Sequence, residues 1–464
     1  MANYILLERV ELNASAASVV FANIPQTGYT DLKVVVSARG DGTSGAFMCQ
    51  FNAATTNLSS RVIYGINGNA TGSSTYSDEN SIWGYTTNST STANTFGNAE
   101  ILIPNYTSSN NKSVSIDAVN ETNAADGRQI ITAGLWSSSA AITSITLLSK
   151  TGSNVGTNFT QYSTFSLYGV AAVGTTPAIA PKASGGNIID TDGTYWIHTF
   201  NTSGTFTPLV PLTCDYLVVA GGGGGGATQT GSSGGGGGGA GGYRTSIGGS
   251  PLSLGTSAVT VTVGAGGAGR STFGKGNAGN NSVFDSITSA GGGGGASIGG
   301  TSYGYPVGGE NGESGGSGGG SAFNFTTFVA GTGGAGNTPS TSPSQGNNGG
   351  VGNGSPNNYG TGGGGGAGGV GGNGTSSTGG AGGAGTANSI TGSSVTYSGG
   401  GGGSTFNGGT GGTGGSGGGG NGGTGNAANA TAGTANTGGG GGGNSNLYAS
   451  AAGGSGVVII RYAV

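Results

Sequence analysis

The sequence predicts an all-β N-terminal antiparallel sandwich of jelly-roll type, followed by a polyglycine II helical sandwich seeded on a small β-cap. Three observations carry that reading. Residues 1–173 alternate apolar and polar positions between turn-forming residues, with no helical periodicity. After residue 200 the chain turns into glycine, with 96 of its 114 glycines in the last 264 positions. Those glycines are bracketed by two apolar, strand-like runs, Tyr216-Leu-Val-Val-Ala220 and Val457-Val-Ile-Ile-Arg-Tyr462.

The first part supplies strands at Tyr4–Leu12, Ser18–Ile24, Asp31–Ala38, Ala46–Asn52, Arg61–Ile66, Glu100–Pro104, Ser113–Val119, Gln129–Leu135, Ile142–Leu148 and Ser163–Val170. Alternation is clearest in Ser113-Val-Ser-Ile-Asp-Ala-Val119, which points one face inward. Trp83 and Trp136 read as core or edge packing. A linker follows over 174–187, stiff at Thr175-Thr-Pro-Ala-Ile-Ala-Pro-Lys182 and flexible at Ser184-Gly-Gly186. Residues 188–464 form the second domain. Its β-cap is drawn from 188–264 and 456–464, with a hairpin at Thr194–Phe200 and Gly204–Thr207 and a strand at Ala258–Val263. The last apolar run is expected to return and pair with this set.

Glycine blocks such as Gly221–Gly226, Gly234–Gly239, Gly291–Gly295, Gly417–Gly420 and Gly438–Gly443 have no side chain to bury. Ordering glycine costs more backbone entropy than ordering any other residue. Only an arrangement that pairs nearly every N–H and C=O can offset that. A lattice of left-handed threefold helices does so, rising about 3.1 Å per residue. Strict collagen-like periodicity is absent and prolines number 11, so a triple helix is excluded.

Charge is sparse: 28 Asp, Glu, Lys and Arg residues, a net charge of −4, and no cluster of Lys or Arg. Phosphate recognition needs a basic stripe, so nucleic-acid partners are not expected. No apolar stretch approaches the ~20 residues of a membrane helix, and the first residues carry charges where a signal peptide would be apolar. Synthesis in a cytosol and release by another route is the expectation. Cys49 and Cys214 read as free buried thiols.

Enzymatic constellations are not found. His198 stands alone on a predicted hairpin, and Glu310-Asn-Gly-Glu313 reads as a solvated turn without a partner to tune it. No metal-ligand set and no cofactor site is expected. Strings matching a dinucleotide fingerprint follow from composition alone, because no strand–turn–helix unit surrounds them.

What remains is display. Loops between rigid glycine blocks carry aromatic rings beside hydroxyl and amide groups, the mixture found in binding paratopes. The candidates for receptor contact are Tyr303, Tyr305, Phe323, Phe325, Phe328, Tyr359, Tyr397 and Tyr448. The competing reading is that these rings fold back as the only apolar cover of the glycine layers. For Phe273 and Phe284, expected near the cap, cover is the preferred reading.

The run from Tyr216-Leu-Val-Val-Ala220 into Gly221–Gly226, the alternating glycine blocks and the closing Gly456–Tyr462 resemble the glycine-rich domains of bacteriophage tail-fibre proteins and adhesins. The resemblance covers about residues 188–464. The start, with Phe21-Ala-Asn-Ile-Pro-Gln26 and Tyr29-Thr-Asp-Leu-Lys33, is similar to N-terminal β-domains of marine phage virion proteins. The resemblance implies a non-enzymatic virion protein on a tail fibre or capsid surface, released by lysis. Its first domain would anchor or oligomerise on other virion proteins, a homotrimer being the family's habit. Its loops would meet a host surface glycan or outer-membrane protein. A capsid decoration, or a fibre without a specific receptor, is the alternative. An ice-binding protein is a third reading, requiring regular glycine spacing and a flat Ala/Thr face, and the irregular blocks argue against it.

Overall fold

The computed structural model describes residues 4–66, 69–76, 82–121, 127–151, 154–155, 157–171, 181–228, 234–298, 309–324, 326–354, 359–406, 409–424, 429–445 and 448–464. The chain forms two compact units, one of residues 1–182, 187–196 and 464, the other of 183–186 and 197–463.

Strands of the first unit are β1 (Tyr4–Glu11), β2 (Ser18–Phe21), β3 (Tyr29–Ala38), β4 (Ala46–Phe51), β5 (Leu58–Ile66), β6 (Asn69–Tyr76) and β7 (Ile82–Tyr85). They continue with β8 (Gly97–Ile103), β9 (Lys112–Asn120), β10 (Arg128–Trp136), β11 (Ile145–Thr151), β12 (Asn154–Val155) and β13 (Thr164–Ala171). Next come β14 (Ala183–Ser184), which belongs to the second unit, and β15 (Ile188–Thr191), which belongs to the first. The larger sheet runs β15-β1-β13-β3-β8-β9-β10-β5-β6, and the smaller β12-β11-β4-β7 with β2 beside β11.

Alternation makes this a sandwich. Leu32, Val34 and Val36 of β3 and Ile101 and Ile103 of β8 share one buried core with Phe47 and Phe51 of β4 and Ile145 and Leu147 of β11. Each such side chain contributes about 1.5–3 kcal/mol by leaving water. Trp83 and Trp136 are buried in the same core. Lys112, also buried, lays its ammonium among the carbonyl oxygens of Ser108, Asn110 and Ala140 at 2.6–2.9 Å. Three strands depart from the sequence reading, one of them the two-residue β12, which pairs with β11. Polar β6 pairs with β5 alone, at an edge where no apolar face is needed, and β7 is a four-residue strand against β4.

The second unit continues with β16 (Tyr195–Phe200), β17 (Gly204–Pro208), β18 (Leu212–Val219), β19 (Tyr243–Thr245), β20 (Leu252–Leu254) and β21 (Val259–Thr262). It ends with β22 (Ser282–Phe284), β23 (Ile287–Ser289), β24 (Thr386–Asn388), β25 (Val395–Tyr397) and β26 (Val457–Ala463). β18 and β26 pair antiparallel from Asp215↔Arg461 to Val219↔Val457, so the expected return of the last run is realised. β14, β17, β21, β22 and β23 form a second small sheet. Phe206 packs edge-on against Phe284 and His198. Cys49 and Cys214 are free and buried, and burial pushes the Cys214 thiol up to about 12.

The expected linker needs correction at its flexible end. Ala183–Ser184 is a strand on β17, and Gly185 has φ +105°, with Thr205 O 1.9 Å from where a Cβ would sit. Glycine is required there by geometry rather than by mobility. The stiff centre at 175–180 lies outside the described residues.

Candidate display surface at the far end of the glycine lattice

The glycine blocks fold as the threefold helices the sequence implied, and the hydrogen bonds prove the period. Gly221 and Gly224 donate to Asn280 and Asn277, Gly222 and Gly225 to Gly454 and Ala451, and Gly223 and Gly226 to Gly239 and Gly236, all at 2.8–3.0 Å. Every third N–H thus addresses the same neighbour, as three residues per turn demands.

Run 234–242 lies at the centre. It donates to runs 438–444 (Gly238 to Gly441), 290–297 (Gly239 to Gly293) and 360–367 (Gly237 to Gly362). It accepts from runs 221–226 (Gly223 to Gly239), 316–322 (Gly320 to Gly237) and 398–404 (Gly401 to Gly238). The glycines of all these runs are buried, and a Cβ on Gly237 would stand 2.1 Å from the carbonyl oxygen of Gly401. At such positions the hexagonal packing requires glycine, while Ala240 of the same run and Ser317 and Thr361 of its neighbours are buried where there is room for a small side chain.

The surrounding runs follow a different rule. Ala265 and Ala268, Ala381 and Ala384, and Thr410, Thr413 and Ser416 are exposed at every third position, while the glycines between them are buried or half-buried. Asn373 Oδ1 accepts the Val351 N–H at 2.8 Å, and Asn421 Oδ1 the Gly414 N–H at 2.8 Å. Asn311 and Asn348 do the same for Thr332 and Gly336. Each amide supplies an acceptor where the lattice has no further run. Block 417–420 is not one helix: Gly417 and Gly418 turn with φ +93° and +94°.

Both the entering strand β18 and the leaving strand β26 stand at one end of this bundle. The β22–β23 and β24–β25 hairpins connect runs at that same near end. At the far end, isolated bridges tie Ala227 to Gly274, Gly234 to Ser445, Gly360 to Thr405 and Thr405 to Thr424. Ser297 N–H donates to Gly309 O, so both flanks of the connection 299–308 also stand there.

The predicted contact residues divide accordingly. Phe323 and Tyr359 stack with ring centroids 4.4 Å apart and planes at 15°. With Ile298 they form a buried cluster against which Phe273 and Phe406 pack. They cap the far ends of the inner runs and are not presented to solvent. Phe273 therefore sits at the far end, not near the cap, whereas Phe284 is buried in the cap. Tyr397 lies on β25 at the near end and is buried, where desolvation first and then Tyr243 push its hydroxyl up. Phe328, at φ +54°, and Tyr448 are exposed at the far end. Tyr303, Tyr305 and Phe325 lie outside the described residues.

The remaining singled-out groups are engaged within the fold. His198 is buried, with Nδ1 2.7 Å from Gly185 O and Nε2 2.9 Å from the Tyr462 hydroxyl. Glu310 stands in a turn at 309–310, as expected, but both it and Glu313 are half-buried rather than solvated, and Glu313 N–H donates to Gly294 O. The sequence did hold the signal for the outer runs: Gly-Ala-Gly-Gly-Ala-Gly269 and Gly-Gly-Thr-Gly-Gly-Ser416 repeat with the helix period.

Compared with protein-family models, residues 200–463 match the one described as a glycine-rich domain. No curated protein matches the chain.

Proposed function

Since this chain belongs to the glycine-rich domain family through residues 200–463, we propose that it is a non-enzymatic virion protein of a bacteriophage, a tail fibre or adhesin that binds a host-cell surface receptor. The observation that supports this is the division of labour between the two ends of the lattice. β18 and β26 enter and leave side by side at one end. The connections bearing Phe323, Phe328, Tyr359, Phe406 and Tyr448 stand at the other. A scaffold whose inner runs are constrained to glycine and a few small residues leaves its connections free to change, which suits the presentation of a binding surface. Phe328 and Tyr448 are the described rings that a host glycan or outer-membrane protein would meet. The first unit would join other virion proteins.

Immunogold electron microscopy of intact particles, with an antibody raised against 302–328, tests the reading. Label at tail or fibre tips is expected. Label spread over the head would replace it with a capsid decoration, and unlabelled particles would overturn a virion role.

One observation favours a second reading, ice binding. Adjacent outer runs joined by Gly379→Thr410 and Gly382→Thr413 hydrogen bonds expose Ala381, Ala384, Thr410 and Thr413 in regular rows. Thermal hysteresis of the purified protein would establish it, and ordinary freezing would dismiss it.

A further inference from the structure

The chain carries a net charge of −4, yet the connections at the far end of the lattice are positive. Their flanks stand there at 227–233, 270–275, 299–308, 324–329, 354–359, 375–377, 406–409, 425–430 and 445–449. Between them these segments hold two charged side chains, Arg270 and Lys275, and no Asp or Glu. Both cations belong to one connection.

That connection is fixed in place. Phe273 turns inward and packs against the Phe323–Tyr359 cluster. Gly274 and Ala227 exchange N–H···O bonds in both directions, at 3.0 and 3.1 Å. Arg270 N–H donates to Ser450 Oγ at 2.8 Å, and Arg270 O accepts the Ser450 N–H at 2.9 Å. Arg270 Nε donates to Lys275 O at 2.6 Å, which holds the guanidinium beside residue 275 and leaves Nη1 and Nη2 with no acceptor among the described residues. The Lys275 ammonium has no partner among them either, and the half-buried Glu310 and Glu313 pair with neither cation. A loop already ordered binds an anion without an ordering cost.

The neighbouring groups narrow the ligand. Ser271 and Thr272 are exposed between the two cations, and Tyr448, 41% exposed, lies two residues from Ser450. Two cations suit one oxyanion, since nucleic acid and anionic lipid are held by many. An acidic peptide would ask for an apolar anchor pocket, where this corner offers hydroxyls and one ring. The free Nη1/Nη2 edge matches a carboxylate or phosphate in bidentate fashion, Lys275 adds a point charge, and a tyrosine offers a flat face and a polar tip together.

We propose that this corner binds an acidic saccharide, with the carboxylate or phosphate of one sugar on Arg270 and Lys275, its hydroxyls on Ser271 and Thr272, and its ring against Tyr448. The inference rests on the far end being the receptor surface and names the ligand class that surface takes.

Calorimetric titration of the full chain with trigalacturonate, mannose 6-phosphate, maltotriose, triglutamate and inorganic phosphate tests it. Trigalacturonate or mannose 6-phosphate is expected to bind, which of the two separating a carboxylate from a phosphate source, and to bind more weakly as salt rises from about 50 to about 300 mM. Maltotriose should not bind. Arg270→Gln and Lys275→Gln should each weaken the acidic sugar at least about tenfold, and Arg270→Lys, which keeps the charge and loses the fork, should weaken it less. Lys275→Gln leaves the Arg270 bond to the backbone in place, so an unchanged melt with lost binding separates ligand contact from loop structure. Binding of neither acidic sugar, equal binding of maltotriose, triglutamate or inorganic phosphate, or binding indifferent to Lys275→Gln would each overturn the proposal. The two readings fail separately: no sugar binding with fibre tips labelled removes this site alone, and sugar binding with unlabelled particles removes the virion role alone.

Discussion

The Nε2 atom of His198 lies 2.9 Å from the hydroxyl of Tyr462, joining β16 to β26, and the same hydroxyl accepts the Ala183 N–H at 3.1 Å. With Nδ1 donating to Gly185 O, the neutral ring has one donor and one acceptor placed for its two partners. Protonation would turn Nε2 into a second donor on an oxygen that already accepts from Ala183. Burial, opposed by the Gly185 hydrogen bond, lowers the His198 pKa to about 4.

The sign of the pH dependence follows. Between about 6.5 and about 4 the unfolded chain binds a proton that the folded chain refuses, so stability falls as pH falls through that window, by ~3 kcal/mol in all. His198→Gln should be less stable than the unaltered protein at pH 7.5, and the gap should close by pH 4. Thermal melts at both values check it. A gap that stays constant would mean the imidazole is not buried neutral.

The first unit responds in the opposite direction. Burial, reinforced by the charge of Asp190, raises the Glu8 carboxyl to about 8. Asp190 is itself raised by burial, with Asp192 adding to the shift and its Thr191 hydrogen bond opposing it. Between about 4.5 and about 8 the folded state therefore holds protons that the unfolded state has lost, and stability rises as pH falls. Glu8→Gln should raise the melting temperature at pH 8 and change it little at pH 4.5. Equal effects at both values would contradict the assignment.

Substitutions in the lattice should separate by position. Gly237→Ala places a methyl group against the Gly401 carbonyl and is expected to cost more than ~3 kcal/mol or prevent folding. Ala381→Ser, on the solvent side of an outer run, should stay within ~0.5 kcal/mol. Melting temperatures of the pair decide it.

Asn373 and Asn421 each precede a glycine, a dipeptide prone to deamidation when free. Here Gly374 N–H donates to Val351 O and Gly422 N–H to Gly412 O, so the nitrogen that would attack the side chain is engaged. Peptide mapping after incubation at pH 9 should show both intact in folded protein and converted in urea. Asn373→Ala, which removes the acceptor for Val351, should cost ~1 kcal/mol.

At the far end, Phe323→Ala should cost about 3–5 kcal/mol, because it empties the stacked cluster. Phe328→Ala and Tyr448→Ala should leave the melt unchanged and reduce adsorption to host cells. Normal adsorption by both exposed-ring variants would remove these two rings from the receptor surface.

The strands of the first unit were legible wherever one face is buried, as in β9 and β10, because alternation records the core directly. β6 was not, since an edge strand of polar residues carries no such record. The threefold helices were legible from the absence of side chains in Gly221–Gly226. The fate of each ring was not. Tyr359 and Tyr448 look alike in sequence, and burial of one and exposure of the other depends on which runs end beside them. Nothing in Val395-Thr-Tyr397 sets it apart from the other aromatic loops, yet its hairpin spans runs at the near end.

Run 234–242 is completed by neighbours drawn from 221–226 through to 438–444, so its hydrogen bonds span some two hundred residues of chain. No partial lattice built from the first few runs can satisfy its central strand. Folding of this unit must therefore wait until most of the chain has emerged from the ribosome, and then proceed late, slowly and as one cooperative event. Until then every backbone N–H and C=O of the glycine segments that the finished lattice pairs must be satisfied by water, so the structure exists only when complete.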